Sequence, residues 1–304
     1  MSFKKDHFTL SDNTTIPAIG YGLGTKWYKQ GVDKIDENVV FHLKQAIDAG
    51  LTHIDGAEVY NTNRECGLAL KKVDVPREKL YITNKFIPKN TKDDSSSPLK
   101  DPYDALKEDL KQFGVDYVNL YLIHCPFIEK ERNGYTLVEA WNRLEKALDD
   151  GLTKSIGVSN FRVEDIEEIL QSKPKYTPVV NQIEFNAYLQ NQTPGIVDYC
   201  KKHNILVEAY SPLGPVTKGR PGPLDDTLVE LSKKYNKTES QILLRWVLQQ
   251  GILPITTSSN KERLVQSLEI FNFDLSKEDV DTISRLGTQK HLRQYWTNEY
   301  SKYD

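Results

Sequence analysis

Cysteine is scarce in this chain. Cys66, Cys125 and Cys200 are the only three among 304 residues, and an odd, dispersed set makes neither a disulfide framework nor a zinc ribbon. Long apolar runs are also missing. No stretch approaches the roughly 20 residues that a bilayer-spanning helix needs, and residues 1–7 hold no apolar core that could serve as a secretory signal. Residues 300–304 match no lipidation or retention signal. The Asn-X-Thr matches at Asn13, Asn191 and Asn236 then count for little. An excess of one charge is lacking too: the net charge of −3 gives no electrostatic reason for nucleic acid or an anionic membrane as a partner. The expected setting is cytoplasmic, with a small-molecule partner, no nucleic acid, no membrane, and a monomer or weak dimer.

What the sequence does have is alternation. Hydrophobic content of 38% with 27% charged residues is ordinary for a globular chain. A polar turn at 11–13 between apolar residues 8–10 and 15–16 predicts a small hairpin. Residues 19–27 carry three alternate glycines, but G-x-G-x-G with no helix directly behind it lacks the spacing of a dinucleotide fingerprint. The better reading is a first strand at Gly20 with a glycine-rich exit. Strands follow at 53–55, 80–83, 118–123, 155–158, 179–184, 205–210 and 252–255. Helical periodicity separates them at 37–49, 64–71, 103–113, 137–148, 163–170 and 195–202. Further helices fall at 224–234, 239–248, 263–268 and 277–286, and a polar loop at 92–98. Eight strands, each followed by helical pattern, imply a parallel sheet. In this length that is a (β/α)8 TIM barrel, with an N-terminal β-hairpin and additional C-terminal helices. Residues 1–304 read as one domain, the extra helix at 224 and the tail from Gln289 being caps on the barrel.

Polar residues that end barrel strands face the carboxyl end, where such folds place their chemistry. Asp55, Lys85 and His124 stand at three such ends, and Tyr60 follows Asp55 on the next loop. Singly, each has a plain reading: a helix cap, a solvated lysine, a satisfied interior histidine, a packed aromatic. Together they suggest a tuned acid. Free tyrosine has a pKa near 10, too high for efficient proton exchange at neutral pH. A lysine ammonium at about 4 Å favours phenolate by roughly 4 kcal/mol at an effective dielectric near 20. Burial opposes this, and the expected net result is a lowered tyrosine pKa. A carboxylate such as Asp55 would keep the buried lysine charged, and His124 can donate to a substrate oxygen. Protonating an oxygen while hydride attacks the carbon is carbonyl reduction. Three other chemistries stay open on these residues: a Schiff-base aldolase using Lys85, a metal hydrolase using His53, Asp55, Glu58 and His124, and a cofactor-sensing regulatory subunit with little turnover.

Several stretches resemble the aldo-keto reductase superfamily, over nearly the whole chain. They are His53-Ile54-Asp55 with Tyr60, Ile82-Thr83-Asn84-Lys85, Leu122-Ile123-His124-Cys125-Pro126, Ile156-Gly157-Val158-Ser159-Asn160-Phe161, Asn181-Gln182-Ile183-Glu184 and Tyr210-Ser211-Pro212-Leu213-Gly214. Within it the chain is most similar to the fungal conjugated polyketone reductases of the ketopantoyl lactone reductase type. The pointers are Gly24-Thr25-Lys26-Trp27, Tyr60-Asn61-Thr62, His124 with Pro126-Phe127, and Leu253-Pro254-Ile255-Thr256-Thr257-Ser258-Ser259.

The resemblance implies an NADP-dependent oxidoreductase with Tyr60 as proton donor and Asp55, Lys85 and His124 completing the tetrad. It implies that Ser159, Asn160 and Gln182 hold the nicotinamide amide, and that Tyr210 stacks on the ring. Ser211, Leu213 and Gly214 would follow the pyrophosphate, and Ser258, Ser259, Asn260 and Arg263 the adenosine end. Gly24, Thr25, Lys26 and Asp55 would also meet the cofactor, and Trp27, His124 and Cys125 the substrate; no metal is implied. Arg263 beside hydroxyls suits a ribose 2′-phosphate, which favours NADPH/NADP+ over NADH, although Ser258-Ser259-Asn260 also reads as a plain helix cap. Three residues depart from the common pattern: Gly56 for threonine, Cys125 for tryptophan, and Thr257 for a lysine facing the 2′-phosphate.

Overall fold

The computed structural model describes residues 2–4, 6–29, 32–89 and 101–304; the polar loop expected at 92–98 lies outside them. Three short strands, β1 (Ser2–Lys4), β2 (His7–Thr9) and β3 (Thr15–Pro17), form an antiparallel sheet, one strand more than the expected hairpin. Eight parallel strands then close into a barrel: β4 (Gly20–Gly22), β5 (His53–Asp55), β6 (Tyr81–Phe86), β7 (Val118–Ile123), β8 (Thr153–Ser159), β9 (Val180–Glu184), β10 (Leu206–Tyr210) and β11 (Leu253–Thr256). They are ordered as in the chain, and β11 pairs back onto β4 through Ile255 and Gly20. Every residue of β5, β6 and β9 is buried, as expected of parallel strands walled by side chains inside and helices outside.

Local chemistry sets the helix ends. Asp101 caps Pro102–Phe113, accepting from the amides of Tyr103 and Asp104, and Gly114 stops that helix in the left-handed region at φ 69°. Thr136 and Glu139 form a reciprocal capping box on Leu137–Asp149, and Thr238 and Gln241 do the same on Glu239–Gln249, each satisfying amides that the first turn leaves unpaired.

The hairpin closes the amino end of the barrel. Asp12 accepts from Ser155 Oγ at 2.6 Å, and Thr14 Oγ1 lies 3.0 Å from the same hydroxyl. The polar tail closes the other end. The amides of Gln294 and Tyr295 donate to the Glu184 carboxylate at 3.0 and 3.1 Å, Arg293 donates to Asp304 and to the Gln192 carbonyl, and the Tyr300 hydroxyl donates to the Asn160 carbonyl. One boundary differs from expectation. The third barrel strand runs to Phe86 rather than ending at 83, so Lys85 lies within β6. A charged residue looks like a strand end in sequence; here its charge is matched inside the barrel. Among the described residues no helix is long and apolar enough to cross a membrane.

Candidate active site

Lys85 is fully buried, and its ammonium donates to Asp55 Oδ1 at 2.8 Å and to the Gly56 carbonyl at 2.6 Å. Burial alone would push its pKa down, but Asp55 and then Tyr60 outweigh that and raise it, so the lysine carries its charge at neutral pH. Glycine at 56 has a steric reason. A Cβ there would come within 2.9 Å of Asn84 Oδ1, and Asn84 is committed to Asp109 Oδ2 at 2.9 Å. Asp109 also accepts from Asn63 and Tyr121, a buried polar brace behind the strand that carries Lys85.

Tyr60 ends a short helical turn, Glu58–Tyr60, directly after β5. The Lys85 ammonium lies 5.3 Å from the centre of its ring, and the His124 imidazole meets it edge-on at 5.8 Å between centres. Gly24 supplies the opposite wall: a Cβ there would stand 3.0 Å from the ring and 3.3 Å from the hydroxyl. The expected lowering of the Tyr60 pKa is not found. Tyr60 is half-buried, and desolvation outweighs Lys85, so the pKa rises. Tyr60 therefore stays a neutral phenol with a proton to give. His124 follows β7, its amide bonded to the Phe86 carbonyl at 2.8 Å. Burial, then the Lys85 charge, pushes its pKa well below the ordinary histidine value. It is a neutral imidazole, able to donate one N–H, and its Nδ1 has no protein partner among the described residues.

Among the buried carboxyl groups to which the sequence reading gave no role, Glu184 and Glu208 lie on neighbouring barrel strands. Glu184 holds the tail, as described. Glu208, on β10, is completely buried and accepts from Gln182 Nε2 at 2.7 Å; the same nitrogen donates to Asp55 Oδ1 at 2.8 Å. The available signal was a glutamate inside the apolar run Ile205-Leu206-Val207-Glu208-Ala209. Burial first, then Asp55, raises the Glu208 pKa to about 8.

A raised folded-state pKa means that its stabilising contribution is complete below the unfolded value, about 4.3, and is lost as pH rises through the folded one. Within that window each pH unit removes up to about 1.4 kcal/mol. Glu208→Gln should abolish this slope. Urea unfolding at pH 5 and pH 8 should show the variant gaining about 2–4 kcal/mol on the native chain between the two; an unchanged difference would mean that Glu208 is already ionised.

A metal centre is not supported. No group of three or more His, Cys, Asp or Glu able to hold an ion occurs among the described residues. His53 Nε2 bonds Thr83 Oγ1 at 3.0 Å, and burial lowers the His53 pKa to about 4.

The aldo/keto reductase family model matches residues 18–287. The chain belongs to the aldo/keto reductase family. It is 46% identical to the NADPH-dependent alpha-keto amide reductase of Saccharomyces cerevisiae over 100% of this chain and 98% of that protein. It is 40% identical to the NAD/NADP-dependent indole-3-acetaldehyde reductase of Schizosaccharomyces pombe, over 92% of this chain and 95% of that one. Among solved structures, an aldo-keto reductase from a deep-sea metagenome library superposes with a TM-score of 0.78 at 32% identity, covering 94% of this chain and 97% of its own. This protein is an oxidoreductase of carbonyl chemistry.

The remaining residues of the reductase fall into two groups. Ser159 Oγ donates to the main-chain carbonyl of Gln182 at 2.9 Å, and Asn160 Nδ2 donates to the main-chain carbonyl of His124 at 2.9 Å. Asn160 Oδ1 accepts from the Tyr210 hydroxyl at 2.7 Å and from Gln192 at 2.9 Å. Tyr295, on the tail, lies edge-on to Tyr210 at 5.7 Å, with its hydroxyl 3.2 Å from Thr25 Oγ1. Ser211, at φ 55°, and Leu213 lead into a short helix, Gly214–Thr217.

Before the helix Lys261–Leu268 the capping reading of Asn260 holds: its side chain accepts from the Arg263 amide at 3.1 Å, and its own amide donates to Ser258 Oγ at 3.0 Å. Ser259 and Arg263 sit in the same turn, Arg263 exposed on the first turn of Lys261–Leu268.

Cys125 is closed off from solvent, and the Trp296 ring faces His124 at 6.4 Å and packs on Phe127 at 5.6 Å. Trp27 is largely buried. It stacks on His42 at 5.1 Å, and its indole N–H donates to the Tyr21 hydroxyl and to Thr257 Oγ1, each at 3.1 Å. That second bond gives Thr257 a packing role where a lysine would have none. Lys26 reaches over the same indole at 5.4 Å.

Proposed function

We propose that this reductase uses NADPH to reduce an activated ketone, with Tyr60 giving the proton to the carbonyl oxygen. The observation that carries the reading is the buried Lys85–Asp55 pair beneath a neutral Tyr60 and beside a neutral His124. NADPH, when bound, supplies the hydride. His124 orients the carbonyl oxygen through its N–H, and Tyr60 protonates the oxygen as negative charge develops on it. Lys85 then stabilises the phenolate left behind, and Asp55 keeps Lys85 charged.

The donor set fits the cofactor. Both N–H groups of the Gln182 amide are spent on carboxyl oxygens, leaving its carbonyl as the acceptor that a carboxamide requires. Ser159 pairs with Gln182 across the β8–β9 ladder, the Asn160 amide donates to the Gln182 main-chain carbonyl, and Tyr210 donates to Asn160; Gly24, Thr25 and Lys26 would meet the cofactor beside Tyr60. Ser211, Leu213 and Gly214 would take the pyrophosphate. Ser258, Ser259, Asn260 and Arg263 offer hydroxyls, an amide and a guanidinium to a 2′-phosphate. Arg263→Ala should weaken NADPH binding by about 10- to 100-fold, as loss of a charge-assisted contact does, and change NADH binding little. Fluorescence titration with both dinucleotides measures this; equal losses would place the 2′-phosphate elsewhere.

For the substrate we propose a ketone adjacent to a second carbonyl, the unit shared by conjugated polyketones, ketopantoyl lactone and the α-keto amides in the yeast relative's name. The neighbouring carbonyl withdraws electrons from the carbon under attack. A panel of diones, keto lactones, keto amides and simple aldehydes, run with NADPH and NADH, tests this; equal rates on simple aldehydes would refute the preference. A Schiff-base aldolase is disfavoured because a charged lysine held by Asp55 and Gly56 is no nucleophile. A regulatory subunit would show no single-turnover oxidation of NADPH by a reactive dione.

A further inference from the structure

Gln182 is held from two sides by carboxyl groups brought together from distant strands. Its amide nitrogen has two hydrogens: one meets Asp55 Oδ1 on β5, the other Glu208 Oε2 on β10. Flipping the amide would set its carbonyl oxygen against the Asp55 carboxylate and leave Glu208 Oε2 without an N–H, so the carbonyl is turned away from both. Asp55 alone would not ensure this, since one N–H can reach it from more than one rotamer. Glu208 supplies the second anchor, in register with Gln182 across the β9–β10 ladder. Burying a carboxyl group is costly. The only hydrogen bond that Glu208 makes through its side chain among the described residues is to Gln182, and its other oxygen has no partner there. The polar contact that offsets this cost is the bond to that one amide.

We propose that Glu208 is a positioning residue of the reduction site: through Gln182 it fixes the face that the amide carbonyl turns toward the nicotinamide carboxamide, and keeps Asp55 aligned on Lys85. This rests on the reading of Tyr60, Lys85 and Gln182 given above. Glu208 itself touches neither substrate nor cofactor.

Three changes test it. Glu208→Leu fills the space without an acceptor, Glu208→Gln keeps a carbonyl acceptor, and Gln182→Leu removes the amide through which Glu208 acts. Equilibrium NADPH binding by fluorescence, kcat and KM with butane-2,3-dione, and Tm are measured for each. Glu208→Leu should weaken NADPH by about tenfold or more and lower kcat by a similar factor, with Tm at or above that of the native chain at pH 7. Glu208→Gln should recover most of both losses. In the Gln182→Leu background, Glu208→Leu should add less than about twofold, because coupled residues are not additive. If Glu208→Leu does not fold, Glu208→Thr, whose hydroxyl is too short to reach the amide, carries the same expectations.

A folded variant lacking the acceptor that binds NADPH and turns over like the native enzyme overturns the proposal. So does a loss of the same size with and without Gln182, or a Glu208→Gln enzyme as impaired as Glu208→Leu. Tyr60→Phe retaining full kcat defeats the underlying assignment instead. NADPH binding by Glu208→Leu is read without turnover, so the two failures are distinguishable.

Discussion

Tyr60→Phe should lower kcat by about 10²–10⁴, the usual worth of a positioned proton donor, while NADPH affinity stays near that of the native enzyme. The substitution removes one oxygen. The ring keeps its edge-on contact with His124 and its packing against Gly24, so the walls of the site are undisturbed and stability should change little. Pre-steady-state oxidation of NADPH by butane-2,3-dione separates the chemical step from product release. Because burial raises the Tyr60 pKa, the native enzyme should keep its proton donor loaded through the neutral and mildly alkaline range. A variant with native kcat would remove Tyr60 from the mechanism, and one that has lost NADPH binding would make the residue structural.

Lys85→Met should be the most destabilising single change in the site. Methionine fills the space but leaves Asp55 as a buried carboxylate whose cation is gone. Breaking a buried pair from one side costs about 3–5 kcal/mol, a large part of the roughly 5–15 kcal/mol that holds a domain together. Turnover should fall with it, since nothing then stabilises a Tyr60 phenolate. Adding Asp55→Asn should recover stability by neutralising the stranded charge, without recovering activity. Denaturant unfolding of the two variants decides this: a single variant as stable as the native chain, or a double variant less stable than the single, contradicts it. Lys85 keeps its charge through the neutral range. A raised lysine pKa gives a contribution that is complete below the unfolded-lysine value, about 10.4, and lost only as pH climbs through the folded one.

Much of the architecture was legible because it is periodic. Strand and helix alternate at intervals that a parallel barrel requires, and Gly50, Gly114 and Gly151 mark helix ends with positive φ. The cluster of Asp55, Tyr60, Lys85 and His124 was legible for a different reason: each residue alone has a plain reading, but four of complementary chemistry near successive strand ends share none. Lys85 was nonetheless placed one step wrong, at the end of a strand that continues to Phe86. The pairing that permits a lysine there is made by a residue thirty positions earlier. Glu208 was passed over because a charged residue inside an apolar run gives no hint of its partner. Trp27 was assigned to the substrate by likeness, and its packing on His42 of the first helix is a contact that a motif does not contain.

The amino-acid order by itself determined that eight strands would alternate with helices, and that a phenol, an ammonium, a carboxylate and an imidazole would gather at one rim, since hydrophobic periodicity dictates which face each strand buries. Only the tertiary structure decided the proton affinities and the orientation of the amide. Tyr60 lies deep enough for desolvation to outweigh a nearby cation. Gln182 bridges residues 127 and 26 positions away. Both outcomes turn on distances through space, which sequence separation does not encode.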